Sequence, residues 1–283
     1  MLNRKQIVVI GSIVILMGLL LSLDIKGLVK DDEQNTGAVS NESSHSEPAT
    51  ISLESISQSS KATLSASLAE QITQLENALK NASGAEKLRI QRELAQKWDD
   101  VNKPAPGAFY YEEIAKAESN FDNWLKAGDK FTEAYQGTTD SIAQPALVEH
   151  AQNAYKKASE LQPNNLDAKT GLGVAYVNGL KNPMEGIQLL LAVVKEDPSN
   201  IKANMSLGLF SIRSGQYDKA VDRFKMVLTK TPDDPEAWFY LASCYSSLGQ
   251  KQDAIMAYTK AKELAADPGM TQFVDREIEK LRK

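Results

Sequence analysis

The chain is poor in the residues that most chemistry needs. It has one cysteine, Cys244, and two histidines, His45 and His150, in 283 residues. One cysteine excludes an internal disulfide and any cysteine-built zinc or iron–sulfur site. Aromatics make up only 7%. Val, Ile and Thr hardly cluster after the first 25 residues, which argues against a β-rich fold. No GxxxxGK[ST], GxSxG or HExxH segment occurs, and no paired-carboxylate arrangement stands out. The reading is therefore of a non-enzyme, with no catalytic, cofactor-binding or metal-binding residue assigned. Cys244 reads as a small buried hydrophobe, His150 as a helix-surface residue, and Asp233, Asp234 and Asp253 as turn or cap residues.

Charge is unevenly spread. Residues 31–60 hold six acids (Asp31, Asp32, Glu33, Glu42, Glu47 and Glu54) and no Lys or Arg. Residues 1–30 hold Arg4, Lys5, Lys26 and Lys30 against Asp24 alone. The remainder is close to neutral and lacks the clustered bases that nucleic-acid binding requires, so no nucleic-acid partner is expected.

Ile7 to Leu23 is an uncharged run, IVVIGSIVILMGLLLSL. At about 1.5 Å per residue it nearly spans a ~30 Å hydrocarbon core. Ser22-Leu23-Asp24-Ile25-Lys26 offers no small-residue cleavage site, which favours an uncleaved signal anchor over a removed signal peptide. Arg4 and Lys5 before the run place the N-terminus in the cytoplasm and the body outside, periplasmic in a bacterium. Residues 31–60 are Ser-rich and acidic, with few apolar anchors, and read as a disordered linker.

A period of 34–35 residues governs the C-terminal half. Leu172-Gly173, Leu207-Gly208 and Leu241-Ala242 recur, as do Pro163, Pro198 and Pro232. Ala220 and Ala254, Phe224 and Tyr258, and Gly215 and Gly249 each stand 34 apart. Residues 235–268 hold the fullest pattern: Trp238, Leu241, Ala242, Tyr245, Gly249, Ala254, Tyr258 and Ala261. In 201–234, Asn204 and Ser211 stand where aromatics do elsewhere. In 166–200 the turn Gly179 to Pro183 carries an extra residue. A unit over 121–165 is split by about eleven residues around Gly137 to Pro145, between Trp124, Ala127, Gly128, Phe131 and Ala151, Tyr155, Ala158. A weaker unit over 88–120 holds Leu94, Ala95, Trp98, Gly107 and Tyr111.

This pattern resembles the tetratricopeptide repeat (TPR) family. The resemblance implies an all-α, right-handed solenoid of helix hairpins with a concave face. Small residues let helices approach, and aromatics fill the space between them. Before the array, Leu64, Leu68, Ile72, Leu75 and Leu79 form a stripe, either a coiled-coil seam or a face packed on its own solenoid. After it, Asp267-Pro268 starts a capping helix with Met270, Phe273, Val274, Ile278 and Leu281 on one face. The expected plan is an anchor at 1–30 with a transmembrane helix over 7–23, a linker at 31–60, degenerate hairpins at 61–120, an array at 121–268 and a cap at 269–283.

In such families repeat positions 2, 5, 9, 12 and 13 line the groove. Carried over, they give Asp167, Thr170, Val174, Val177 and Asn178, then Lys202, Met205, Leu209, Ile212 and Arg213, then Glu236, Phe239, Ser243, Ser246 and Ser247; of these, Thr170, Val174, Val177, Lys202, Met205, Leu209, Ile212, Arg213, Phe239 and Ser243 are the groove candidates. Val174, Val177, Met205, Leu209, Ile212 and Phe239 make an apolar strip flanked by Lys202 and Arg213. It would hold a partner peptide or helix, or be covered by the chain's own N-terminal helices. The carboxylate clamp of some members looks absent. The expected function is a membrane-tethered protein-binding scaffold, an assembly or chaperone-like factor of the cell envelope. The alternatives are a structural homodimer through the N-terminal helices and an accessory factor of cytochrome c maturation.

Overall fold

The computed structural model describes residues 51–179 and 182–283. The expected anchor and span at 7–23, and the linker up to residue 50, lie outside the described residues. Among the described residues there are thirteen helices and no strand. None of these helices is long and apolar enough to cross a membrane.

Ten of the helices form five successive hairpins: α3 (Gly84–Asp100) with α4 (Pro104–Ala117), α5 (Phe121–Gln136) with α6 (Ala143–Leu161), α7 (Leu166–Asn178) with α8 (Pro183–Glu196), α9 (Ile201–Arg213) with α10 (Tyr217–Lys230), and α11 (Pro235–Ser247) with α12 (Lys251–Leu264). The first helices also meet one another in series, α5 with α7, α7 with α9 and α9 with α11, so one side of the stack is built from them. Leu172, Leu207 and Leu241 are 8%, 4% and 3% exposed, in equivalent buried places of three hairpins.

Local chemistry fixes the ends. Asn120, Asn165, Asn200 and Asp234 cap α5, α7, α9 and α11 by accepting backbone N–H groups, which satisfies donors the helix leaves open. After α9 and α11 the chain turns through Gly215 (φ 72°) and Gly249 (φ 73°), a left-handed geometry that costs glycine nothing. The next amide then donates back across the turn, Gln216 to Ser211 and Gln250 to Tyr245, which closes the helix end. The α3–α4 turn does the same with Asn102 (φ 52°), whose successor Lys103 donates to Trp98.

Close approach explains the small residues. A Cβ at Gly208 would stand 2.8 Å from the ring of Phe224, and one at Gly128 would stand 2.7 Å from Tyr155. The split unit is less interrupted than its spacing suggests. The expected insertion lengthens α5 and α6 themselves, leaving only residues 137–142 as a turn, with Asp140 capping at the amides of Ile142 and Ala143.

At the N-terminal side one expectation meets a different structure and one open alternative is decided. Residues 53–60, placed in the linker, belong to α1 (Leu53–Lys61). Ser52 and Ser55 make a reciprocal capping box, so the serines that read as disorder start a helix. Ile56 is buried with Phe109 and Phe131, and Ser57 and Lys61 both reach Glu76 on α2 (Ala66–Asn81). The leucine stripe of α2 packs on its own chain: Leu64, Ile72, Leu75 and Leu79 join Ile90, Leu94 and Trp98. At the other end α13 (Pro268–Arg282) covers the last hairpin with Val274 and Ile278 buried, and Asp267 caps it.

Candidate functional site

A cavity of about 690 Å³ opens on the side built by the first helices. Its lining is best understood by counting Leu172, Leu207 and Leu241 as position 7 of their repeats, with Ala127 in the same place on α5. Positions 6, 9 and 13 then line it on three successive helices: Lys126, Asp129 and Glu133 on α5; Gly171, Val174 and Asn178 on α7; Ser206, Leu209 and Arg213 on α9. Steps of three and four residues keep these side chains on one face of each helix. Lys202 and Met205 extend that face on α9, Ile212 flanks it, and Tyr240 on α11 stands at position 6 of the next repeat.

Of the groove candidates, Val174, Lys202, Met205, Leu209, Ile212 and Arg213 line this cavity. Thr170 and Val177 do not: both are buried, Val177 among Ile187, Leu190 and Leu207. Positions 5 and 12 lie to one side of the central stripe, and on α7 that side turns into the stack. Phe239 and Ser243 are also elsewhere. Phe239 packs on Phe273 of α13, ring centres 5.6 Å apart, and Ser243 does not line the cavity. The capping helix therefore closes the groove at its last repeat.

The residues not anticipated are instructive. Position 6 was absent from the expected set, yet Lys126, Gly171, Ser206 and Tyr240 all contribute there. Tyr155 comes from a second helix. It reaches the cavity because Gly128 and Gly171 present no side chains against its ring. Its hydroxyl donates to Asp129 Oδ1 at 2.8 Å, and burial together with that carboxylate raises its pKa, so it stays neutral. Tyr240 is pushed up to about 12 by burial and by Glu236, so it too presents a neutral hydroxyl. The floor between them is aliphatic: Val174, Met205, Leu209 and Ile212.

Outside the groove, His150 is not a simple surface residue. Its ring stacks on Phe131 with centres 4.8 Å apart, and its Nδ1 lies 3.1 Å from Glu112 Oε1. Burial opposes the charge on Glu112, but the hydrogen bonds from His150 and Lys116 more than offset it, and the carboxyl titrates below its usual range. Cys244 is fully buried, and burial raises its thiol to about 11, so it is a packing residue.

Comparison with known proteins agrees with this geometry. Residues 205–270 match the sequence profile of the tetratricopeptide repeat. The chain carries tetratricopeptide repeats. It is 28% identical over 118 residues to BBSome complex member BBS4 of Bos taurus, covering 42% of this chain and 22% of that protein. It is 29% identical over 126 residues to Superkiller complex protein 3 of Mus musculus, covering 44% of this chain and 8% of that one. The chain thus spans under a quarter of the length of these relatives. Among solved structures, the type IV pilus biogenesis factor PilW superposes with a TM-score of 0.54 at 19% identity, over 70% of this chain and 87% of PilW. That likeness concerns the fold. In the TPR array of this chain, the groove belongs to the first helices of the second to fifth hairpins.

Proposed function

We propose that this TPR protein is a protein-binding scaffold whose groove, on α5, α7, α9 and α11, holds a peptide segment or helix of a partner. The observation that carries the reading is the open aliphatic floor of Val174, Met205, Leu209 and Ile212. Such side chains release ordered water only if something covers them, at roughly 25 cal/mol per Å² of apolar surface buried. Polar groups around the floor (Asn178, Ser206, Tyr240 and Thr132) can meet a backbone laid across it.

Residues 7–23 would tether this scaffold to a membrane, with the repeats on the outer side and residues 31–50 as spacer. The hydropathy of the run and the placement of Arg4 and Lys5 support that reading. A role in assembling cell-envelope machinery follows from it. The stripe on α2, spent on its own chain, does not favour the homodimer.

The test is photo-crosslinking from position 209 of the full chain in its native membranes, alongside M205E/L209E. The expected result is a discrete crosslinked partner from position 209 and loss of its co-purification with the double variant. Equal co-purification by both proteins would place partner binding on another surface.

A further inference from the structure

The groove is lined by three cations and two carboxylates, and their partners are unequal. Asp129 accepts the Tyr155 hydroxyl at 2.8 Å, and Glu133 pairs with Lys130 at 2.9 Å. Both carboxylates are thus engaged within the chain. Among the described residues, by contrast, neither Lys202 nor Arg213 has an ion pair. Arg213 only lies over the ring of Phe210, and both side chains are exposed.

Lys202 and Arg213 are eleven residues apart on α9, on one face, about 16 Å along the helix axis. Met205, Leu209 and Ile212 lie between them, with Val174 facing from α7. The site is therefore an aliphatic floor with an unpaired cation at each end.

We propose, resting on the groove reading above, that the natural ligand is an acidic peptide segment: a short aliphatic stretch with Asp or Glu at both ends. The aliphatic side chains cover Met205, Leu209 and Ile212, and the terminal carboxylates meet Lys202 and Arg213. Charge complementarity at the two ends sets partner choice and register, while the floor supplies most of the affinity. Basic segments are rejected because they would set like charges against both cations.

The experiment is selection of a random twelve-residue peptide library, displayed on phage, against the full chain. Enrichment of Asp and Glu flanking Leu, Ile or Val supports the proposal. So does about tenfold weaker binding of a selected peptide by K202E/R213E, with its affinity for the wild type falling as salt rises. Selected peptides that need Leu209 but show no acidic preference, or favour Lys and Arg, overturn the proposal and leave the groove reading standing. Peptides that bind M205E/L209E as well as the wild type overturn both. Failure to select any peptide also overturns both.

Discussion

Asn204 and Trp238, thirty-four residues apart, make the same hydrogen bond: each side-chain N–H donates to the carbonyl of the proline six residues before it, Pro198 at 2.9 Å and Pro232 at 2.7 Å. An amide thus replaces an indole at the fourth repeat position while keeping its polar duty. Asn204 is fully buried and uses its remaining groups on Asn200 O and on Arg223. Asn204→Ala should leave Arg223 and the Pro198 carbonyl short of a partner and destabilise the chain by about 1–3 kcal/mol, read by urea unfolding. Arg223→Ala in that background should add little, because the bond it would remove is already gone.

Gly208→Leu should lower the melting temperature steeply. Its side chain would enter the space held by the Phe224 ring, which is fully buried and cannot turn aside. Adding Phe224→Ala should recover part of that loss. A calorimetric cycle of the four proteins measures the coupling, and strict additivity would show that the two sites do not compete for one volume.

Met205→Glu with Leu209→Glu should abolish peptide binding at unchanged helicity, since both side chains are only partly buried at the cavity. Far-UV circular dichroism and fluorescence polarisation read the two effects separately. Loss of helicity would mean that the strip belongs to the core.

Acid should weaken the α4–α6 junction through Glu112. Its folded carboxyl titrates lower than an unfolded one, so the stabilisation is fully present above the unfolded value. It is lost as pH falls through the folded value. Glu112→Gln should therefore cost about 1–3 kcal/mol near neutrality and progressively less toward low pH. Chemical unfolding of both proteins across that range gives the comparison.

Cys244 should react with a thiol reagent only as the last hairpin opens. Its raised pKa and full burial both suppress the reactive thiolate. Labelling and unfolding rates should coincide under strongly labelling conditions; rapid labelling of the native chain would show that the helix pair opens on its own.

The hairpins were legible because spacing in the sequence maps onto packing. Leu172, Leu207 and Leu241 share a buried place, and even the weak unit around Trp98 keeps its turn, with Asn102 where later repeats have Gly215 and Gly249. The groove was legible along α9 but less so on α7. A list of repeat positions cannot say which way an edge residue turns, and Thr170 and Val177 turn inward. Phe239 was out of reach for a similar reason: only the path of α13 decides that Phe273 covers it. Helix α1 was hidden by composition. Its stability comes from a two-serine cap and from Glu76, nineteen residues beyond Ser57, and a local reading sees only Ser-rich polarity.

The ring of Tyr155 lies against Gly128 of its own hairpin and Gly171 of the next, so a single side chain serves as common wall to two repeats. Losing either repeat strips the ring of half its surroundings. The second and third hairpins should therefore melt as one cooperative block rather than peel apart in turn. Shortened versions of the protein will hold together best when the cut falls outside residues 121–196.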